Sequence, residues 1–133
     1  TGDLALLHDT NGWLFSHSYK PPLIVFLIDN GGGGIFNQLE IGECCKGSFE
    51  DLFQMPQKVD QLVLAAAHNV PSRQISSLED LGGALEWAVS LKKTVLLRVC
   101  TSPNEDHKLR QQIRNGLKEY LGTIIKNNEI EHY

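Results

Sequence analysis

Residues 23–28 form an uninterrupted apolar run, Leu-Ile-Val-Phe-Leu-Ile, which constrains the fold more than any other part of the chain. The run is rich in β-branched and aromatic residues, it is short for a helix, and apolar and polar positions do not alternate in it. Strands of this kind are covered on both faces, as in a parallel sheet. Residues 20–22 (Lys-Pro-Pro) end the segment before it, because proline cannot continue a helix. The sequence therefore predicts a buried strand over residues 23–28.

Strand and helix patterns alternate along the rest of the chain. Residues 70–75 and 94–99 are further strand candidates. Residues 4–17 show a loose helical face, which Asn11-Gly12 interrupts. This alternation predicts the α/β class with a mainly parallel sheet.

Four more helices are predicted from their capping residues and apolar spacing. Ser48 is expected to cap a short helix over residues 49–54, and Asp60 is expected to cap the helix that follows it. Ser76 and Glu79 have the spacing of a capping box for the next helix. The last helix opens at residues 102–104, and we expect the apolar side chains that recur along it to pack in the core. These side chains are Leu109, Ile113, Leu117, Leu121 and Ile125.

Length and composition are those of an ordinary globular domain. The 133 residues fit one domain, and a hydrophobic share of 41% with 21% charged residues excludes a disordered chain. The net charge of −4 argues against a nucleic-acid partner, and no apolar run has the length of a membrane span. Three cysteines without regular spacing argue against a disulfide framework, so we expect a reducing, cytoplasmic location.

The glycine run at 31–34 follows the predicted strand directly, and two interpretations of it stay open. The glycines form a flexible turn, or they let the backbone approach a phosphate or a metal closely. The run is not a P-loop, because the Lys and the hydroxyl residue of that motif are absent. A dinucleotide-binding fingerprint would need glycine at Phe36. Ligands bind at the carboxyl ends of the strands in parallel sheets, which is where this run lies.

Asp3, Asn30 and a backbone carbonyl of the glycine run make up a candidate ligand set for a hard cation. Mg²⁺ prefers carboxylate, amide, carbonyl and phosphate oxygens. The five histidines show no metal-ligand spacing, so they are not assigned to a metal. The adjacent Cys44 and Cys45 lack the second cysteine pair of a soft-metal site.

Three segments together resemble one enzyme family. Residues 2–12 (GDLALLHDTNG), 29–36 (DNGGGGIF) and 53–57 (FQMPQ) are similar, in this order and at this spacing, to the C-terminal domain of the 2-succinyl-5-enolpyruvyl-6-hydroxy-3-cyclohexene-1-carboxylate synthase family of menaquinone and phylloquinone biosynthesis. The resemblance implies a three-layer α/β sandwich, in which helices flank a mainly parallel sheet. This is the diphosphate-binding (PP-type) domain of the thiamine diphosphate-binding fold.

The resemblance also implies a role for each matching residue. Asp3, Asn30 and the backbone of Gly32 would hold a Mg²⁺ or Mn²⁺ ion that anchors the diphosphate. Ile35 and Phe36 would line the substrate side of the cofactor. The residues expected at the cofactor are Gly2, Asp3, Leu4, Asn30, Gly32 and Gly33.

One position departs from the family's general motif. That motif ends in Asn-Asn, whereas Asp29 takes the first of these places here. A carboxylate that faced the diphosphate would repel it. We therefore expect Asp29 to point away from the site or to be hydrogen-bonded elsewhere.

The implied protein is a thiamine diphosphate- and Mg²⁺-dependent transferase (carboligase). It would decarboxylate 2-oxoglutarate and add the resulting succinyl carbanion to isochorismate. The resemblance implies a homodimer or homotetramer, in which a pyrimidine-binding domain of a partner subunit supplies the activating glutamate. No catalytic residue is therefore assigned in this chain.

The extent of the chain also carries an expectation. The sequence starts within the motif and without Met. We therefore expect residues 1–133 to be a single domain, which is the C-terminal diphosphate-binding fragment of a longer enzyme. This fragment would be inactive alone. The alternatives are another thiamine diphosphate-dependent decarboxylase or acetohydroxyacid-type synthase, and a non-catalytic module that retains the scaffold.

Overall fold

The structure is a computed structural model that describes residues 1–18, 20–38 and 46–130. The elements follow one another as α1 (Asp3–His8), a 3-10 helix (Thr10–Phe15), β1 (Ile24–Asp29), a second 3-10 helix (Gly34–Gln38), α2 (Lys46–Phe49) with a π-helical turn (Glu50–Gln54), α3 (Gln61–Ala67), β2 (Ser72–Ile75), α4 (Asp80–Leu91), β3 (Val95–Cys100) and α5 (Pro103–Ile130).

The three strands form a parallel sheet, as the sequence predicts, and their order in the sheet is β1–β3–β2. Residues 1 and 2 run beside the free edge of β1, where Gly2 forms an isolated parallel bridge with Ile28. The Thr1 nitrogen donates to the Phe26 carbonyl at 2.7 Å, and the Ile28 N–H donates to the Thr1 carbonyl at 2.9 Å. This pairing brings the start of α1 to the carboxyl end of β1.

Helices cover both faces of the sheet, which gives three layers. On one face, β1 and β3 pack against α1, the first 3-10 helix and α3, with the buried residues Leu6, Trp13, Leu27, Ala65, Val70 and Leu96. On the other face they pack against α4, with the buried residues Ile75, Ala84, Ala88, Val95 and Leu97. Leu27, Leu96 and Leu97 are fully buried, so coverage on both faces is confirmed for the middle of the sheet, whereas Leu23 and Ile28 at the ends of the predicted run are exposed.

Of the three helix starts for which the sequence predicts a capping residue, one agrees with the structure and two differ. The Asp60 carboxylate accepts hydrogen bonds from the N–H groups at positions 62 and 63, so the predicted N-cap of α3 is confirmed. Ser48 is not a cap, because it lies inside α2. The predicted capping box falls one residue later: the Ser77 N–H donates to Asp80 at 3.1 Å, and the Asp80 N–H donates to the Ser77 hydroxyl at 3.3 Å.

Two helical predictions from apolar spacing are wrong in part. Residues 4–17 do not form one helix, because α1 ends at His8 and a 3-10 helix follows. The recurring apolar face of α5 does not enter the core over the part whose side chains are described. Each of Leu109, Ile113, Leu117 and Leu121 is more than half exposed. The main packing partner of α5 is the second 3-10 helix, so the body of the domain does not cover this face.

The N-cap of α3 gives a local test of this fold. In the full-length protein, we expect Asp60→Ala to destabilise α3 by about 1 kcal/mol, because two N–H groups lose their acceptor. Amide hydrogen exchange of residues 61–67 should then speed up about fivefold. Asp60→Asn retains an acceptor and should exchange nearly as the wild type does. Equal exchange in all three proteins would contradict the capping role.

Candidate metal and diphosphate site

Asp3 lies where the first turn of α1 meets the carboxyl end of β1. Gly2, the N-cap residue, pairs with Ile28, and this pairing directs Asp3 to that edge of the sheet. The Asp3 side chain is buried, with a relative exposure of 4%. The buried Gln61 amide donates to the Asp3 carbonyl at 3.1 Å and ties the first turn of α1 to α3. Leu4, the next residue, is half-buried.

Burial raises the pKa of the Asp3 carboxyl, because desolvation disfavours the charged form. The Leu4 N–H lowers this pKa in part, the negative charge of Asp29 raises it again, and the Gly32 N–H lowers it. The Asp3 carboxylate is therefore close enough to the glycine loop, residues 31–34, to interact with it electrostatically. A cation at this position would favour the charged carboxylate and reverse the effect of burial.

Asn30 follows β1 directly and presents an oxygen without a partner. Its Oδ1 atom is buried and has no hydrogen bond among the described residues. An unsatisfied buried acceptor costs about 1–3 kcal/mol, so such an atom calls for a ligand or a water. An amide oxygen is also a ligand that hard cations accept. The buried oxygens of Asp3 and Asn30 thus fit the predicted ion.

The glycine loop is packed against the π-helical turn, so the interpretation as a flexible turn is wrong. Gly32 has a φ of +139°, and a Cβ atom on it would overlap the Gln54 carbonyl oxygen. A Cβ on Gly33 would overlap the Phe53 carbonyl oxygen, and the Gly33 N–H donates to Gln54. Backbone lies directly on backbone here, which only glycine permits.

Asp29 is hydrogen-bonded elsewhere, as expected. Its carboxylate forms an ion pair with Arg98 on β3, with 2.6 Å between Oδ2 and Nη2. Its other oxygen accepts from the Gly31 N–H at 3.0 Å. The departure from the Asn-Asn motif is therefore accompanied by a cationic partner on the neighbouring strand.

Ile35 and Phe36 lie on the second 3-10 helix, beyond the glycine loop. Ile35 is 68% exposed, which argues against a core-packing role. Phe36 contacts Phe53 edge to face, with 5.8 Å between the ring centroids. Their place on the substrate side stays a prediction. A cavity of about 90 Å³ opens beside Ile35 and Asn30 and is bordered by His107 and Arg110 of α5.

The described residues contain no group of three or more His, Cys, Asp or Glu side chains that could hold a metal ion. The proposed ion would use one carboxylate together with amide and backbone oxygens, so that finding does not test the Asp3 site. Cys44 and Cys45 lie outside the described residues. Cys100 is a free thiol and is exposed.

Sequence reasoning missed two residues that support the site. Arg98 has a signal in the sequence, since it is the one charged residue in the apolar run 94–99. Gln61 has none, because a glutamine just after an N-cap is ordinary. Its contact with Asp3 depends on how α3 packs on α1.

Replacing Asp3 by Asn removes a buried charge with little change in shape. In the metal-free full-length protein at pH 7, we expect Asp3→Asn to stabilise α1, because it removes a buried charge. The folded-state pKa of Asp3 lies above the ordinary value of 3.8, so its charged form opposes folding. The stability difference between the variant and the wild type should be complete above the raised pKa of Asp3. It should shrink as the pH falls through this pKa and vanish below the ordinary value of 3.8. Hydrogen exchange of residues 3–8 measures it, and faster exchange in the variant at pH 7 would contradict the effect.

Gly32→Ala tests the contact between the glycine loop and the π-helical turn. The added Cβ meets main-chain atoms that cannot rotate away, so we expect local destabilisation of about 1–3 kcal/mol. Exchange at residues 50–54 should rise accordingly. Gly82→Ala in α4 is the matched control, because its Cβ enters open space and should stabilise the helix by about 0.5–1 kcal/mol. Unchanged exchange in Gly32→Ala would show that the two segments are not coupled.

Comparison with solved structures supports the fold. The structure aligns with benzoylformate decarboxylase from Polynucleobacter necessarius at a TM-score of 0.63, with 20% identity, over 77% of this chain and 19% of that one. It aligns with the thiamine diphosphate-dependent 4-hydroxybenzoylformate decarboxylase of Rhodococcus jostii RHA1 at a TM-score of 0.62, with 20% identity, over 76% of this chain and 19% of that one. The chain therefore shares the three-layer α/β fold of these enzymes.

Curated relatives are much closer in sequence. The chain is 55% identical over 131 residues to 2-succinyl-5-enolpyruvyl-6-hydroxy-3-cyclohexene-1-carboxylate synthase of Prochlorococcus marinus strain MIT 9313. This alignment covers 98% of this chain and 22% of that protein. It is 56% identical over 131 residues to the synthase of strain MIT 9303, with the same two coverages. It is 53% identical over 119 residues to the synthase of Synechococcus sp. strain CC9311, over 90% of this chain and 21% of that protein.

The chain spans about a fifth of the length of these relatives. No family model matches it. Within the described residues, no helix has both the length and the apolar character that crossing a membrane requires. Because the identity to these relatives extends over nearly the whole chain, the chain is homologous to about a fifth of the sequence of 2-succinyl-5-enolpyruvyl-6-hydroxy-3-cyclohexene-1-carboxylate synthases.

Proposed function

We propose that the chain is the diphosphate-binding part of a thiamine diphosphate- and Mg²⁺-dependent synthase, which decarboxylates 2-oxoglutarate and adds the succinyl carbanion to isochorismate. The observation that carries the proposal is the pair of buried oxygens at one edge of the sheet. Asp3 contributes a buried carboxylate, and Asn30 contributes a buried amide oxygen without a partner. Both lie next to the glycine loop at the carboxyl end of β1.

Each residue of the site has a distinct task in this proposal. Asp3, Asn30 and the Gly32 carbonyl supply three oxygen ligands to Mg²⁺ or Mn²⁺. Backbone groups of Gly2, Leu4 and Gly33 would lie along the diphosphate, and the absence of a side chain at Gly2 allows close approach. When bound, thiamine diphosphate supplies the electron sink that decarboxylation needs. Ile35 and Phe36 line its substrate side. This chain holds and orients the cofactor and contributes no catalytic residue.

The rest of the enzyme lies outside this chain in the proposal. The share of the relatives that the chain covers supports a C-terminal fragment of a longer protein. So does the free edge of β1, where the described residues place no strand beside Ile24 and Val25. A segment before Thr1 would continue the parallel pairing along this edge. The activating glutamate would come from a pyrimidine-binding domain of a partner subunit, in a homodimer or homotetramer, and the fragment alone would be inactive.

A second candidate is another thiamine diphosphate-dependent decarboxylase or an acetohydroxyacid-type synthase. Both solved structures that share the fold are decarboxylases. Their 20% identity supports the fold alone, whereas the relatives at 53–56% identity are synthases of the quinone pathways. A non-catalytic module would not need the buried oxygens of Asp3 and Asn30. The quinone-pathway synthase is therefore the better-supported proposal.

Cofactor titration of the full-length protein tests the proposal. We expect thiamine diphosphate to bind only with Mg²⁺ or Mn²⁺, and Asp3→Ala to weaken binding by about 100-fold or more, because a metal ligand is lost. Asp9→Ala is the matched control, since Asp9 is an exposed carboxylate just beyond the end of α1. Calorimetry measures the affinities, and circular dichroism checks the fold of each variant.

Two outcomes would contradict these assignments. Wild-type affinity in a folded Asp3→Ala variant would remove Asp3 from the metal site. A cofactor-loaded enzyme that forms no adduct from 2-oxoglutarate and isochorismate would exclude the quinone-pathway reaction and favour the second candidate.

A further inference from the structure

The ion pair between Asp29 and Arg98 joins the last residue of β1 to the central strand of the sheet. Arg98 directs Nε and Nη2 at the same carboxylate oxygen, at 2.7 and 2.6 Å. The side chains are largely buried, with relative exposures of 22% for Arg98 and 11% for Asp29. A charge-assisted contact of two nitrogens in a mostly desolvated place has a defined geometry. A mobile ion pair on the protein surface has no such defined geometry.

The backbone around Asp29 is held on both sides. Its second carboxylate oxygen accepts from the Gly31 N–H at 3.0 Å, which bends the chain back over Asn30. Its own carbonyl accepts from the Thr101 N–H at 2.8 Å. Asn30 lies between these fixed points, and its Oδ1 atom stays buried without a partner. The direction of Asn30 thus depends on how Asp29 is held.

The pair also balances charge beside the site. The Asp29 carboxylate is close enough to Asp3 for the two negative charges to repel each other. The guanidinium of Arg98 neutralises Asp29 where an anionic diphosphate would have to approach. Without Arg98, a desolvated carboxylate would stand unpaired one residue from the proposed ligand Asn30.

We propose that Asp29 and Arg98 are a positioning pair for Asn30 and the glycine loop that follows it. The pair directs the Asn30 oxygen toward the ion and keeps the charge of Asp29 away from the diphosphate. The inference rests on the proposed function, since it presupposes an ion and a diphosphate at this edge. Arg98 lies on β3, which carries no proposed ligand, and would nevertheless contribute to the affinity for the cofactor.

A double-mutant cycle in the full-length protein tests the pair. We expect Arg98→Met to lower the Mg²⁺-dependent affinity for thiamine diphosphate about 10–100-fold, since the loop loses its anchor and Asp29 is left unpaired. Adding Asp29→Asn removes the unpaired charge and retains an acceptor for Gly31. The double variant should therefore recover much of the lost affinity, although it carries one more substitution. Arg98→Lys keeps the charge but not the two-nitrogen contact and should lie between.

The controls separate this inference from the proposed function and from misfolding. Arg73→Met removes an arginine that lies over Trp87, at 4.4 Å from the ring centroid, and should leave the affinity unchanged. Calorimetry gives the affinities, and hydrogen exchange of residues 30–34 reports the anchoring of the loop. If Arg98→Met does not fold, the comparison of Arg98→Lys with the wild type decides.

The outcomes are distinct. Absence of Mg²⁺-dependent binding in the wild type would contradict the proposed function itself. Wild-type affinity in Arg98→Met or Arg98→Lys would overturn the positioning role while the proposed function stands. A double variant at least as weak as Arg98→Met would overturn the charge-balancing role. Recovery in the double variant would support it, because the second substitution removes only the unpaired charge of Asp29.

Discussion

The candidate site depends on the parallel pairing between residues 1–2 and the end of β1. Hydrogen bonds that Thr1 makes with Phe26 and Ile28 bring two remote segments to one edge of the sheet. Main-chain pairing sets where both residues lie, because Asp3 is the next residue on one segment and Asn30 follows the other. The same main-chain geometry makes the carboxyl ends of parallel strands suitable for ligands. Strand pairing therefore places Asp3 and Asn30 at the same edge of the sheet.

Two features of the candidate site oppose local stability. Burial opposes the charge on Asp3, and Asn30 has a buried acceptor without a donor. Both features disfavour folding in the absence of a ligand and favour an ion when one binds. By mass action, a bound ion and cofactor would then stabilise this edge in proportion to the logarithm of their concentration. In the surrounding core, Leu27, Leu96 and Leu97 are fully buried, and this apolar burial stabilises the fold whether or not a ligand is bound.

Much of the fold was predictable because its signals are local. The apolar run of β1 and the Asp60 cap depend on neighbours in sequence, and both predictions are confirmed. The capping box was displaced by one residue because Ser76 and Ser77 offer the same chemistry, and only the position of α4 decides between them. The exposed face of α5 was not predictable from its spacing, since periodicity shows which side chains share a face and not what covers it. In the site, the motif indicated Asp3 and Asn30, whereas Arg98 and Gln61 act across the sheet and between helices.

The order of the strands has a consequence for how the domain is assembled. The central strand β3 follows both of its neighbours in the chain, so neither β1 nor β2 has its partner until β3 is available. Contacts of such long sequence separation form late and slowly, because the loops that they close are costly in entropy. Arg98 arrives on β3 and pairs with Asp29 only at that step. During synthesis, the glycine loop therefore emerges before Arg98, and the Asp29–Arg98 contact beside it cannot form until β3 has been made.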